Sequence, residues 1–147
     1  MKDVPSGCSD WWIHWTRCVA ACVLCAMMLS CGGLEKKDRL DNLQYTTYEY
    51  WAALRWGRYN EAAGHLNIRN GEREAIDIEY LKKIRVTSYV MTESVVTSDQ
   101  TESLMTVEFS YYHEDDAIIR KLTDKQVWWY QEEGRKWWLD GELPDFK

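Results

Sequence analysis

Met105-Thr106-Val107-Glu108-Phe109-Ser110-Tyr111 is the stretch that indicates the fold most clearly, because its apolar and polar side chains alternate. Successive side chains of a β-strand point to opposite faces of the sheet, so the pattern predicts a strand with one buried face and one face in water. Such strands are typical of antiparallel sheets, whereas the strands of parallel sheets are buried on both faces. The stretch therefore predicts an antiparallel sheet.

The residues before this stretch predict a partner strand that begins at Ile84 and is rich in β-branched residues. The same alternation places one set of side chains on a single face: Ile84, Val86, Ser88 and Val90. Asp99-Gln100 then predicts the hairpin turn that joins the two strands.

The residues after the stretch predict two more strands. A turn at Glu114-Asp115-Asp116 precedes a third strand from about Ala117 to Tyr130. A turn at Glu132-Glu133-Gly134 precedes a fourth from Lys136 to Asp140. Hairpin-length connections predict that neighbours in sequence are also neighbours in the sheet.

Helices are predicted ahead of the strands. The first has its core face at three-to-four spacing, formed by Leu40, Leu43, Thr47, Tyr50, Trp51 and Leu54. Gly57 ends this helix, and a shorter helical pattern follows from Tyr59 to Leu66. Residues 72–81 fit either a third helix or an extended entry to the sheet, and we favour the helix.

Helices followed by consecutive strands predict an α+β domain with the helices on one side of an antiparallel sheet. The element order, the segments Trp51-Ala52-Ala53-Leu54 and Gly57-Arg58-Tyr59-Asn60-Glu61-Ala62-Ala63, and the stretch from Trp128 to Pro144 resemble the NTF2-like (cystatin-like) superfamily. The resemblance covers roughly Leu40 to Phe146. It implies a cone in which N-terminal helices pack on a curved antiparallel sheet of about four strands.

The N-terminal region has the layout of an export signal. Arg17 precedes an uncharged run, Cys18 to Ser30, that is 13 residues long. A membrane-spanning helix needs about 20 apolar residues, so the run is too short to span and has the length of a signal-peptide core. A plain secretory signal, a signal anchor and a misassigned start codon are the alternatives to a lipoprotein signal.

Met28-Leu29-Ser30-Cys31 resembles the lipobox of bacterial lipoproteins. The resemblance implies cleavage between Ser30 and Cys31, followed by attachment of diacylglycerol to the Cys31 sulfur and of an acyl chain, such as palmitate, to its amino group. Two or more acyl chains make membrane attachment stable. Gly32 after the cysteine implies the outer membrane, with the domain facing the periplasm. The expected organisation is a cleaved signal peptide at 1–30, a lipidated tether at 31–39 and the NTF2-like domain at 40–147.

Charge and cysteine content exclude several functions. The net charge is −6, and the side-chain charges of residues 1–30 sum to zero, so the acidic excess belongs to the mature chain. An acidic domain argues against a nucleic-acid partner. All cysteines other than Cys31 lie in the predicted signal peptide, namely Cys8, Cys18, Cys22 and Cys25. The mature domain therefore has no internal disulfide and no thiolate metal site.

Two tryptophan pairs lie on strands predicted to be adjacent, Trp128-Trp129 and Trp137-Trp138. Alternation predicts that one member of each pair points into the core and the other outward. Packing between strands is the favoured interpretation, and an aromatic binding surface for a carbohydrate or a peptide is the alternative.

No residue pattern identifies a metal or cofactor site. His65 and His113 are the histidines of the mature chain, and we interpret them as solvated turn residues because no paired-ligand spacing is present. Glu114-Asp115-Asp116 lacks the alternating oxygens and the glycine of a calcium loop, so a charged hairpin turn is expected.

Enzymes of the NTF2-like superfamily place a carboxylate with tyrosine or histidine partners between helix and sheet. The residues that could serve in this way are Asp124, Asp140, Tyr89, Tyr112 and His65. They could do acid–base chemistry only if the fold buried them together. We therefore expect a lipid-anchored envelope protein whose non-catalytic domain binds a partner or a small ligand, or is structural. The alternative is a pocket-containing NTF2-like enzyme or small-molecule binder, and a dimer is left open.

Overall fold

The computed structural model describes residues 31–72 and 74–147, with side chains from Lys37 onward. The predicted signal peptide, including Ser30 at its cleavage point, lies outside the described residues, and Cys31 is described only as the first backbone residue of a helix. The chain divides into two compact units, Met1–Asp38 and Arg39–Lys147. Among the described residues, no helix combines the length and the apolar character needed to cross a membrane.

In the part of the chain that the structure describes, three helices precede the sheet: α1 at Cys31–Arg55, α2 at Tyr59–Ala63 and α3 at Ile78–Leu81. The predicted core face of α1 is confirmed, because Leu43, Thr47, Tyr50, Trp51 and Leu54 are buried and Leu40 is half-buried. Helix α1 begins earlier than expected and includes residues 31–39, for which the sequence predicts a tether.

Gly57 ends α1, and Asp77 caps the beginning of α3. Gly57 has a φ of +67° and terminates α1 as predicted, since a residue with a side chain is strained in that conformation. The helix predicted over 72–81 is much shorter, because the Asp77 side chain accepts a hydrogen bond from the Tyr80 backbone N–H at 2.9 Å and so caps a helix that starts at Ile78.

The four strands are β1 at Ile84–Val96, β2 at Glu102–His113, β3 at Arg120–Gln131 and β4 at Lys136–Leu139. They form one antiparallel sheet in the order β1-β2-β3-β4. The predicted alternation of β2 is confirmed, since Met105, Val107, Phe109 and Tyr111 are all buried. We call the face that carries these residues the inner face and the opposite one the outer face.

The predicted facing of β1 is wrong beyond Val86. Ile84 and Val86 are buried on the inner face, but the pairing with β2 shifts at Thr87 and again at Thr92. Each bulge adds one residue to β1 and reverses the side-chain alternation after it. Tyr89 therefore packs against the core on the inner face, while Ser88 and Val90 are exposed on the outer face.

The bulge residues themselves explain why the sheet accepts the shifts. The Thr87 hydroxyl donates a hydrogen bond to the Ser110 carbonyl at 3.0 Å, and the Thr92 hydroxyl donates to the Thr106 carbonyl at 3.1 Å. These bonds give the β2 carbonyls a partner beside each disrupted pair, so the bulges leave fewer unsatisfied backbone groups.

The core lies between α1 and the inner face of the sheet. It includes Trp128 and Trp137, both fully buried, and Phe146, whose ring packs edge-on against Tyr111 at a centroid distance of 4.9 Å. The architecture is therefore α+β, with helices followed by an open four-stranded antiparallel sheet.

Replacing Phe109 with alanine tests the assignment of the inner face. Phe109 is fully buried, so Phe109→Ala should lower the free energy of unfolding by about 3–5 kcal/mol through lost burial and a cavity. Thr123→Ala, at an exposed outer-face position of β3, should change it by no more than about 0.5 kcal/mol. Urea unfolding measures both values, and equal losses would contradict the assignment.

Candidate functional site

A buried polar chain connects α1 to the sheet. The indole N–H groups of Trp51 and Trp128 both donate to the Gln126 side-chain oxygen, each at 3.1 Å. The Gln126 side-chain nitrogen in turn donates to the Asp124 carboxylate at 2.8 Å. Gln126 is buried, so water cannot replace these contacts. Its side-chain oxygen accepts both indole N–H groups, so neither donor nor the oxygen is left unsatisfied.

Burial perturbs the two ionisable groups beside this chain. Burial raises the pKa of Asp124, against the opposing effect of the hydrogen bond from Gln126. Burial also raises the pKa of Tyr50 well above its usual value, and the Asp124 charge adds to the effect. The Tyr50 hydroxyl is buried without a hydrogen-bond partner among the described atoms, and its ring packs edge-on against Trp128 at 5.5 Å.

The fold does not place all five residues considered for acid–base chemistry on one face of the sheet. Asp124 and Tyr89 share the inner face, and the Tyr89 ring packs against Trp51 at 5.6 Å. Tyr112 lies on the outer face. Asp140 follows β4 and is bound by Arg69, and His65 packs beside the Tyr50 ring at 6.1 Å.

The tryptophan pairs alternate as the sequence predicts. Trp128 and Trp137 are fully buried, whereas Trp129 and Trp138 lie directly opposite each other on the outer face and are half-buried. The Trp129 N–H donates to the Asn67 carbonyl at 3.0 Å, and the Trp138 N–H donates to the Gln131 side-chain oxygen at 2.8 Å.

Cations of the same chain lie over both outer rings. The Lys136 ammonium is 3.8 Å from the Trp138 ring centroid, and the Arg69 guanidinium is 5.8 Å from that of Trp129. Arg69 is held there by Asp140 at 2.7 Å and by Glu102. Trp129 and Trp138 thus contact other residues of the same chain, as the packing interpretation expects. A binding role for the four tryptophans stays a prediction.

The histidines differ from the expected solvated turn residues. Both are half-buried, and His65 Nδ1 is buried without a hydrogen-bond partner among the described atoms. Burial lowers the pKa of His65. The described residues contain no group of three or more His, Cys, Asp or Glu side chains that could hold a metal ion. Glu114-Asp115-Asp116 forms the predicted turn, and its carboxylates pair with Arg85, Lys83 and Arg120.

An open groove of about 780 Å³ lies between the end of α1 and the beginning of β1. Its lining includes Trp56, which is 72% exposed, together with the outer-face Tyr112. Among the described residues, three cationic ones line it, Arg55, Lys82 and Arg85, and no acidic one does. Lys82 and Arg85 also pair with carboxylates beside the groove, those of Glu79 and Glu114, each at 2.6 Å. We call this surface, lined by cationic and aromatic side chains, the cationic groove.

No protein-family model matches this chain, and no curated protein or solved structure proved similar to it. Its functional interpretation therefore depends on the residues and the geometry described above.

Sequence reasoning missed Gln126, Tyr50 and the groove. A signal for Gln126 was present, because Asp124 and Gln126 are polar residues at consecutive inward positions of β3, beside the inward Trp128. The periodicity of α1 predicts that Tyr50 is in the core, but it does not show that the hydroxyl is buried without a partner, because that depends on tertiary packing. The groove brings residues 55–57 to residues 82–87, and no local pattern predicts that approach.

Gln126→Leu should destabilise the protein by about 2–5 kcal/mol, because two buried indole N–H groups lose their acceptor and each unsatisfied donor costs roughly 1–3 kcal/mol. Gln131→Leu is the matched control. It removes the acceptor of the half-buried Trp138, which water can replace, so the loss should stay under about 1 kcal/mol. Urea unfolding compares the two, and equal effects would contradict the bridging role.

The pH dependence of stability should distinguish Asp124 from Asp140. Because the pKa of Asp124 is raised above 3.8 on folding, its contribution to stability is complete below the unfolded pKa and is lost as pH rises through the folded value. Asp124→Asn should therefore gain stability relative to the wild type as the pH rises from about 3.5 to about 7.

Asp140→Asn should show the opposite trend. Burial acts to raise the pKa of Asp140, but hydrogen bonds from the Arg69 backbone and guanidinium lower it overall. Its contribution is present above the unfolded pKa and is lost as the pH falls through the folded value. The wild type should therefore gain stability over Asp140→Asn with rising pH. Urea titrations at a series of pH values measure both, and parallel curves would refute the assignments.

Proposed function

We propose that this protein is a lipid-anchored component of a bacterial cell envelope, attached through Cys31 and holding a small binding domain near the membrane. The observation that carries the proposal is the sequence around Cys31, which ends an uncharged run of signal-peptide length and is the only cysteine after residue 25. Gly32 supports an outer-membrane location with the domain facing the periplasm.

The length of chain between anchor and domain supports attachment close to the bilayer. Cys31 is eight residues from Arg39, the first residue of the second compact unit. Eight residues reach at most about 29 Å even when fully extended, and less when helical. Surfaces of the domain are therefore confined near the membrane plane, where contacts with other anchored proteins are favoured by high local concentration.

The arrangement of ionisable residues supports binding over catalysis. Asp124 is the carboxylate on the inner face, and its Gln126 contact is a structural one that also orients two tryptophans. Asp140 is neutralised by Arg69, and Tyr112 lies on the other face. General acid–base chemistry needs a donor and an acceptor aimed at one point, and these residues do not share one.

The second candidate is an NTF2-like small-molecule binder or enzyme with its site on the inner face. The observation that favours it is a carboxyl of raised pKa, Asp124, close enough to raise the pKa of Tyr50, whose buried hydroxyl has no hydrogen-bond partner among the described atoms. A small polar ligand that bonded both groups should raise the melting temperature of the wild type and not that of Tyr50→Phe. Screening polar compounds by thermal shift on these two proteins tests this candidate.

Metabolic labelling with a fatty-acid analogue tests the anchor. The wild type should be labelled and recovered with membranes, and Cys31→Ala should lose the label because the acylated sulfur is absent. Cys25→Ala is the matched control, since it removes a cysteine from the predicted signal peptide and should leave labelling unchanged. If Cys31→Ala were acylated and processed like the wild type, the proposal would be wrong.

A further inference from the structure

The two edges of the sheet differ in how they are covered. The edge of β4 that faces away from β3 is hydrogen-bonded to residues 65–67, which follow α2. The Asn67 N–H donates to the Leu139 carbonyl and the Leu139 N–H donates to the His65 carbonyl, both at 2.9 Å. The beginning of β1 is partly covered, since Tyr59 donates to the Ile84 carbonyl and Arg55 donates to the Val86 carbonyl. From Ser88 to Val95, the described residues place no strand or capping group along the outer edge of β1.

This free edge has few of the features that usually prevent strand pairing. An exposed edge strand is a template for another chain unless lysine, proline, charge, a bulge or shortness protects it. Residues 88–95 contain neither lysine nor proline, have Glu93 as their one charge and carry one bulge, at Thr92. They also expose apolar side chains, including Val95 at 64% and Met91 at 46%. The edge is therefore suited to pairing with a further strand.

The two ends of this edge differ in their charged residues, with cations that are partly ion-paired at the beginning of β1 and acidic residues alone at the far end. At the beginning of β1 the cationic groove presents Arg55, Lys82 and Arg85. Lys82 and Arg85 also have carboxylate partners in Glu79 and Glu114, whereas Arg55 is hydrogen-bonded to the Val86 carbonyl. At the far end, residues 88–101 contain two charged residues, both acidic, Glu93 and Asp99.

Asp99 is suited to contact a cationic surface. It is exposed in the hairpin turn after β1. Its carboxylate accepts hydrogen bonds from the Thr97 hydroxyl at 2.6 Å and the Thr101 backbone N–H at 3.2 Å, which lower its pKa and keep it charged. The turn therefore presents a fixed negative charge at the end of the free edge.

We propose that two copies of this protein associate through β1, pairing their Ser88–Val95 edges antiparallel about a two-fold axis near the middle of that segment. The axis places the acidic hairpin turn of each copy at the cationic groove of the other, so the same favourable contact forms twice. The sheets join into one continuous eight-stranded sheet.

Charge complementarity favours a second copy over an unrelated strand. A two-fold interface uses the same surface on both subunits and must be complementary to itself. This edge meets that condition in the antiparallel direction, because its basic beginning then faces its acidic end. Parallel pairing would bring the two basic beginnings together, and like charges at close range are repulsive. Confinement of both copies to one membrane plane would strengthen the association, which does not otherwise depend on the anchor.

Site-specific photo-crosslinking in the full chain tests the proposal. Two copies carrying different epitope tags are co-expressed, with benzoylphenylalanine at Met91 on the free edge or, as the control, at the exposed Lys125 on the outer face of β3. Crosslinking from position 91 should join the two tags, and crosslinking from position 125 should not. Crosslinks from position 91 to another protein alone, or none at all, would overturn the proposal.

Substitutions then test the edge and the charges separately, with the crosslinker placed at Val95. Met91→Lys protects the edge and should reduce the crosslinked fraction about tenfold, whereas Ile118→Lys, at an exposed residue before β3, should not change it. Asp99→Lys should also reduce it, and Glu133→Lys in the β3–β4 turn should not. Equal effects of a variant and its control would refute pairing through β1, whatever the outcome at Cys31.

Discussion

The structure depends on one amide oxygen. Gln126 accepts the indole N–H groups of Trp51 from α1 and of Trp128 from the sheet, so the helix and the sheet are joined at a shared, buried acceptor. The hydrophobic effect that drives the packing of α1 on the inner face is itself non-directional. Two directional bonds to one atom fix the helix against the sheet, because any displacement leaves a buried donor unpaired.

This constraint also explains how the rest of the molecule is organised. With α1 fixed across the inner face, its C-terminal end lies against the beginning of β1, where Arg55 bonds the Val86 carbonyl and Trp56 remains exposed. The other edge of the sheet is covered by the residues around Asn67. Among the described residues, one edge of the sheet is thus covered and the other is open, and the end of α1 lines the cationic groove at the beginning of the open one.

Much of the fold could be predicted from local pattern, and the exceptions have physical causes. The alternation of β2, the core face of α1 and the inward and outward tryptophans follow from side-chain periodicity. The facing of β1 could not be predicted, because a bulge at Thr87 changes the period without changing composition. The cationic groove joins segments distant in sequence, and the Gln126 bridge depends on a helix that approaches from 75 residues away.

The Gln126 bridge has a consequence for hydrogen exchange. The indole hydrogens of Trp51 and Trp128 are buried and bonded, so they exchange with solvent only when the helix and the sheet separate around Gln126. The indole of Trp56 is exposed and exchanges without any opening. Native tryptophans therefore provide both protected and unprotected sites, and the slow pair measures the coupling of helix to sheet without an introduced label.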